Sequence, residues 1–393
     1  MKQKYELLAP AGDFQCLVAA INAGCNAIYF GLQEFNMRAR AKNFKISDLP
    51  KIKKICQQKN IKIYLTLNTL IYDNELKPLE NLIKKVKPFI HAIICSDLAV
   101  MQLCKKYHIP FHVSTQCSIS NIKAALFYKR LGAERIVLAR ELSLKQVKQI
   151  SKIIPTEIFI HGAMCVSQSG RCFLSQHMFN QSANKGLCVQ PCRRFYNVKD
   201  EEGNELKVNN HFIFSAKDLC TLPFFEKIKK SGAVSFKIEG RNREPEYVDA
   251  VVKIYRKAID KKLSKQEIEQ SLEQLKQVFN KGFSSGFYLG SPTSDDFSKV
   301  ESSNATHSKQ FIGKILHYYD KLGVALLKLN TNKLAIGDNL IILGKTTGIV
   351  KAKVESMEIS GNQIQESIKG QTIGIKLPFC RKNDDLYKVI DKK

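Results

Sequence analysis

Tyr5-Glu6-Leu7-Leu8-Ala9, the helical pattern Phe14–Ala23 and the run Ala27-Ile28-Tyr29-Phe30 spell one strand–helix–strand unit at the start of the chain. An apolar run, an amphipathic stretch and a second apolar run are what a parallel strand pair with a helical crossover requires. The unit repeats. Further β-type runs lie at Lys62–Leu67, Ala92–Cys95, Phe111–Ser114, Arg135–Ala139, Glu157–Ile160 and Ser235–Ile238. Helical patterns separate most of them, at Asp48–Lys59, Glu80–Val86, Leu98–Tyr107, Ile122–Leu131 and Leu144–Ile153. Eight strands alternating with helices predict an α/β fold, a closed (β/α)8 TIM-like barrel. A doubly wound open sheet is the competing reading, but no G-x-G-x-x-G follows the first strand.

Between the seventh and eighth strands an insert covers residues 163–233. It holds a group of cysteines, a polar hairpin-like stretch at Asp200–Asn204 and the run His211–Ser215. Long insertions in such barrels sit on loops near the active face. Helical patterns at Pro245–Asp260 and Lys265–Asn280 complete a catalytic domain spanning 1–290, and a Ser/Pro/Asp-rich linker follows over 291–308. From 309 to 393 the texture changes. Phe311–His317, Val324–Leu329, Asn339–Leu343, Ile349–Ile359 and Thr372–Leu377 alternate or are β-branched, which predicts a small C-terminal β-barrel domain of five to six strands.

The 393 residues include 62 Lys+Arg against 36 Asp+Glu, a formal charge of +26. Such a surplus suits a polyanionic partner, because each cation placed at a phosphate releases a counterion. It also suits a lysine-rich proteome in which charge maintains solubility, and composition leaves both readings open. The excess is spread along the chain, which favours a broad face over a detachable arm. With 44% hydrophobic and 25% charged residues the chain can bury a core, so disorder and collagen-like structure are excluded. No apolar stretch is long enough for a transmembrane helix, and the N-terminus has no signal-peptide apolar region. A cytoplasmic protein with mostly reduced thiols, and no membrane partner, is expected.

Four of the 12 cysteines form the pattern Cys165-x6-Cys172-x15-Cys188-x3-Cys192. Four thiolates are the number required by tetrahedral zinc or by an iron–sulfur cluster. Neither close pair of a zinc ribbon is present. The irregular gaps, with Gly162, Gly170 and Gly186 nearby, fit a loop folded around a bulkier centre. Arg171, Arg193 and Arg194 are candidates to balance its charge. Such crowding disfavours the alternative of inert structural thiols. Cys16, Cys25, Cys56, Cys95, Cys104, Cys117 and Cys380 lie singly among apolar residues and read as core fillers.

Barrel enzymes place their chemistry just past the strands. Those positions hold Asn68, Asp97, Gln116, Arg140 with Glu141, His161, and Glu239 with Arg241. Lys237 lies inside the last strand, and the alternation of Lys237, Glu239 and Arg241 puts all three on one face. Catalytic roles are assigned to His161, Lys237, Glu239 and Glu141. Substrate-binding roles go to Arg38, Arg40, Asn68, Gln116, Arg140 and Arg241, whose arginines suit an anionic small molecule. The competing reading is an internal ion-pair network that only holds the barrel shut. Gly282–Gly286 matches G-x-S-x-G but lacks the preceding strand of a nucleophile elbow, and Gly344-Lys345-Thr346 lacks the first glycine of a P-loop.

Several stretches together resemble the collagenase-like peptidase family. They are Glu6–Gly12, Ser114-Thr115-Gln116, Ala139–Ser143, Glu157–Cys165 continuing through Ser169–Ser175, Lys217-Asp218-Leu219 and Phe236–Arg241. The resemblance covers nearly the whole chain. Within the family the chain is most similar to members that use prephenate to convert the wobble uridine of tRNA to 5-hydroxyuridine. Other members hydroxylate a ribosomal RNA cytidine or assist quinone hydroxylation. The resemblance therefore implies a tRNA-modifying enzyme, with tRNA and prephenate, a small dicarboxylic acid, as partners. It also implies a 4Fe-4S cluster on Cys165, Cys172, Cys188 and Cys192, with Cys220 as a possible substitute ligand. A peptidase, a ribosomal RNA cytidine hydroxylating enzyme and a non-catalytic iron–sulfur assembly factor are the alternatives.

Overall fold

The computed structural model describes residues 5–205, 214–330 and 333–392. Its first sheet is a closed barrel of eight parallel strands: β1 (Glu6–Pro10), β2 (Ala27–Phe30), β3 (Lys62–Leu67), β4 (Ala92–Cys95), β5 (Phe111–Val113), β6 (Arg135–Val137), β7 (Thr156–Gly162) and, after one intervening short strand β8 (Asp218–Cys220), β9 (Ser235–Ile238). Closure comes from β9, which pairs in parallel with both β7 and β1. The predicted TIM-like barrel is the observed one.

Helices α1 (Phe14–Asn22), α2 (Leu49–Gln58), α3 (Leu76–Val86), α4 (Leu98–Lys106), α5 (Ile122–Leu131) and α6 (Leu144–Ile150) follow successive strands. Their starts are written locally. Asp13, Asp97 and Asn121 accept backbone N–H bonds at the first turns of α1, α4 and α5, and Ser143 with Gln146 forms a capping box on α6. Apolar helix faces and the outward strand residues share one buried layer. The lumen has a smaller apolar group of Leu8, Ala27, Tyr29, Tyr64, Ala92 and Ile94.

The insert contains α7 (Leu174–Phe179), then β8, which runs antiparallel to the end of β7, and α8 (Phe225–Lys229). The hairpin-like stretch is real: Lys199 bridges to Glu205 across a turn held by Asp200. Most of the run His211–Ser215 lies outside the described residues. After β9 come α9 (Pro245–Asp260) and α10 (Lys265–Gln277), followed by the two-residue strand β10 (Phe283–Ser284) beside β8. This strand lies within the G-x-S-x-G segment and puts Ser284 at a sheet edge.

The C-terminal part is an antiparallel domain with its own core. Its strands are β11 (His307–Tyr319), β12 (Val324–Lys328), β13 (Lys333–Ala335), β14 (Asn339–Gly344), β15 (Gly348–Lys353), β16 (Met357–Ile359), β17 (Asn362–Ile364), β18 (Glu366–Ile368), β19 (Thr372–Lys376) and β20 (Asp385–Asp391). Eight form one sheet and β13 pairs with β18, more strands than the sequence suggests: the long run Ile349–Ile359 breaks into two strands on different partners, and β13, β17, β18 and β20 lie outside the expected runs. Gly344-Lys345-Thr346 opens the β14–β15 hairpin. The domain docks on α1 and α9. Gly348, at positive φ, lies so close to Val18 that a Cβ would come within 2.7 Å of it, and Lys309 pairs with Glu246 at 2.8 Å.

Candidate functional site

Alternate residues of a strand face the same side, and in β9 this aims Ser235 and Lys237 into the lumen, with Glu239 and Arg241 continuing the row beyond the strand end. Lys237, Glu239 and Arg241 line one cavity at the C-terminal mouth of the barrel. Beneath it the lumen is charged. Lys237 Nζ lies 3.0 Å from Oε1 of the fully buried Glu157 and 4.3 Å from the centre of the Tyr29 ring. Glu157 also faces Arg135 at 3.3 Å, and Arg135 pairs with Glu6, which accepts a bond from Tyr64 at 2.7 Å. The internal ion network expected as an alternative thus exists, and Lys237 belongs both to it and to the cavity.

Glu239 lies 3.2 Å from Arg38 and 3.8 Å from Arg140. Burial pushes its carboxyl pKa up, but Arg38, Arg140 and Lys237 outweigh that and hold it below the usual value. Arg140 also donates to the carbonyl of Ala163 at 2.6 Å and stacks on Phe159 at 3.9 Å. Arg241 is different. It is buried, bonds only neutral partners (Thr66 Oγ1 at 3.3 Å and the Asn43 side chain), and has no carboxylate within ion-pairing distance among the described residues. Burial lowers its pKa to about 10. The Nε–H groups of both Arg140 and Arg241 are buried without a partner.

Asn68 and Gln116 line the cavity as expected. Asn68 accepts the Met37 N–H at 3.2 Å and Gln116 accepts the Ser114 hydroxyl. Arg40 stands exposed at the rim. Among the described lining residues, Arg38, Arg40, Arg140, Arg193, Lys237 and Arg241 face a single carboxylate, Glu239. The mouth therefore carries a surplus of positive charge.

Three strand-end residues do not join this group. His161 is buried outside the lumen against Tyr247, Tyr255 and Phe283. The reason is a bulge. Phe159 pairs with Lys237 but His161 pairs with Ile238, so two steps on β7 match one on β9 and the alternation slips outward. Burial first, then Arg243, lowers the His161 pKa to about 3. Glu141 is exposed and outside the cavity lining. Asp97 is occupied as the cap of α4 and accepts the Ile71 N–H at 3.0 Å.

Sequence reasoning missed Glu157, Arg135 and Glu6 beneath the cavity and Thr66 and Asn43 beside Arg241. A charged residue inside an otherwise apolar strand was the available signal for the first three.

Cys165, Cys188 and Cys192 line the same cavity, and Cys172 is near enough to influence the ionisation of Cys188 and Cys192. All four are free, with Cys165 exposed and the others half-buried. Burial pushes the Cys192 thiol up to about 11, against the pull of Arg193. Among the described residues no three His, Cys, Asp or Glu side chains converge as a grip for a metal ion. Gly186 fixes where the thiols stand: at φ +82°, its Cβ would meet the Asn36 carbonyl at 2.2 Å, so the insert backbone rests directly on the loop after β2. Of the three arginines near the cysteines, only Arg193 reaches the cavity; Arg194 stacks on Phe179 at 4.4 Å. Cys220 sits in the core 3.8 Å from the Tyr255 hydroxyl, apart from the other four.

Residues 12–298 match the family model described as Peptidase family U32. The chain is 42% identical over 410 residues to a protein of Porphyromonas gingivalis named collagenase, covering 99% of this chain and 98% of that protein. It is 37% identical over 268 residues to the tRNA hydroxylation protein P1 of Bacillus subtilis, covering 66% of this chain and 64% of that one. A 23S rRNA 5-hydroxycytidine synthase of Escherichia coli is 36% identical over 260 residues, covering 65% of this chain and 39% of the enzyme. Among the described residues no helix is long and apolar enough to cross a membrane.

Proposed function

The chain belongs to peptidase family U32, and within it we propose a cytoplasmic tRNA-modifying enzyme that hydroxylates the wobble uridine to 5-hydroxyuridine, with prephenate as co-substrate. The observation that carries this reading is the excess of cations at the barrel mouth, above all the buried Arg241 without a carboxylate partner. A buried cation with an unbonded N–H is costly until an anion meets it. A small organic acid with two carboxylates suits the cavity-lining guanidinium groups of Arg241 and Arg140. Glu239, kept ionised by Arg38 and Arg140, orients those guanidinium groups. Lys237, tied to Glu157, sets the floor.

The four thiols suit an iron–sulfur cluster better than a single ion, because a cluster takes its thiolates from farther apart than a tetrahedral metal does. Cys165, Cys172, Cys188 and Cys192 would hold it, and when bound it supplies electron transfer beside the cavity. The wobble base of a tRNA is unstacked and accessible in its loop, which suits a site recessed in a barrel mouth.

Nucleoside mass spectrometry of tRNA from a strain lacking the gene tests the reading. Loss of 5-hydroxyuridine and its derivatives is expected, and an unchanged spectrum overturns it. The collagenase relative favours a second reading, hydrolysis of peptides. The described lining residues, however, include no histidine to activate Thr66, Ser114, Thr115 or Ser169. Collagen cleavage that survives removal of trace proteases and is lost in Glu239→Gln would establish that second reading instead.

A further inference from the structure

Exposed large apolar side chains of the barrel half are concentrated on one face. Ile46, Leu70, Tyr72, Leu98, Ile122 and Phe173 all lie on connections that leave the C-terminal ends of the strands, around the mouth of the cavity. Two of these are rings beside cavity-lining backbone. Tyr72, 54% exposed, carries the Lys185 ammonium 4.7 Å from its ring centre, and Lys185 is bonded to the Leu70 carbonyl at 2.9 Å and paired with Glu75 at 2.7 Å. The next residue, Gly186, lines the cavity. Phe173 is 64% exposed, with His177 as its ring neighbour at 6.3 Å, and it follows the lining residue Gly170 by three positions.

Exposed aromatic faces grouped at the rim of a charged cavity offer a surface for recognition. The charge beside them favours nucleobases over a protein surface: the adjoining cavity has six cationic side chains against one carboxylate. Rings with cations along a basic groove are how unpaired nucleotides are held, since every base has a face to stack and every phosphate a charge to meet. We propose that Tyr72 and Phe173 stack the unpaired nucleotides flanking the base that enters the cavity. The inference rests on the RNA reading above and adds how the RNA loop is held.

Fluorescence anisotropy of the full chain with a labelled hairpin RNA bearing an unpaired loop, and with a fully paired duplex of equal length, tests it. Tyr72→Ala and Phe173→Ala should each weaken hairpin binding about fivefold or more, leaving duplex binding unchanged. The slope of affinity against salt should not move, because no charge is removed. Phe173→Trp should restore binding, and Phe127→Ala, an exposed ring in the body of α5, should have no effect. Wild-type hairpin affinity in both alanine variants overturns the proposal. So does equal loss on hairpin and duplex, or self-association of the native chain that Phe173→Ala abolishes. If the native chain binds no RNA at any salt concentration, the RNA reading falls as well; if it binds and the ring variants bind equally, only the stacking role is lost.

Discussion

Lys237 and Glu157 meet at 3.0 Å inside the barrel, one at the floor of the cavity and the other wholly buried below it. The pair joins the site to the charged lumen, where Arg135 and Glu6 continue the alternation of sign. The lining of the cavity and the integrity of the barrel therefore depend on the same side chains.

Glu157→Gln should be severely destabilising, because it leaves Lys237 and Arg135 short of a counter-charge in a buried setting. Removing one partner of a buried pair costs about 3–5 kcal/mol. Urea unfolding of the variant measures it, and a loss below about 1 kcal/mol would mean that the lumen is better hydrated than the packing shows.

Arg241→Met should do the opposite to stability and harm function. It removes a buried cation that has no carboxylate partner, so the ligand-free protein should hold or gain stability. Affinity for prephenate, read by calorimetry, should fall about tenfold or more with the loss of charge-assisted bonds. Arg40→Gln, at the exposed rim, should change affinity far less. Equal affinities in Arg241→Met and the native protein would remove the anion role.

Two buried groups predict how stability follows pH. The folded pKa of Glu239 lies below the ordinary 4.5, so its contribution is present above 4.5 and is lost as pH falls through the lower folded value. His161 is held at about 3 against an ordinary 6.5. The unfolded chain takes up its proton first, so stability drains away as pH drops from 6.5 toward 3. Thermal midpoints across that range should decline less steeply in His161→Gln than in the native protein, after allowance for the substitution's own cost at pH 8. Parallel curves would show that His161 titrates normally. No activity change near pH 6.5 should trace to this residue, since it lies outside the cavity.

Iron content separates the thiols. Cys172→Ala and Cys188→Ala, purified without oxygen, should each lose iron and visible absorbance. Cys56→Ala and Cys220→Ala should keep both, because those thiols are buried in the core. Equal iron in all four variants would refute the ligand set.

Sequence by itself determined the barrel. Apolar runs such as Ala27–Phe30 and Ser235–Ile238, spaced by amphipathic helices with side-chain caps, carry their periodicity locally, and closure of eight such units follows from parallel pairing. The row Lys237, Glu239 and Arg241 was equally legible, because alternation holds wherever the ladder is regular. Tertiary structure decided the rest. A bulge between Phe159 and His161 turned an apparent strand-end histidine into the core, and no local pattern announces where a ladder slips. Charged partners distant in sequence, Glu157 for Lys237 and Arg38 for Glu239, became neighbours only when the sheet closed. Which cation was left without a partner, Arg241, is a property of that closure: charge compensation is a balance over space, and the chain records only the order of its residues.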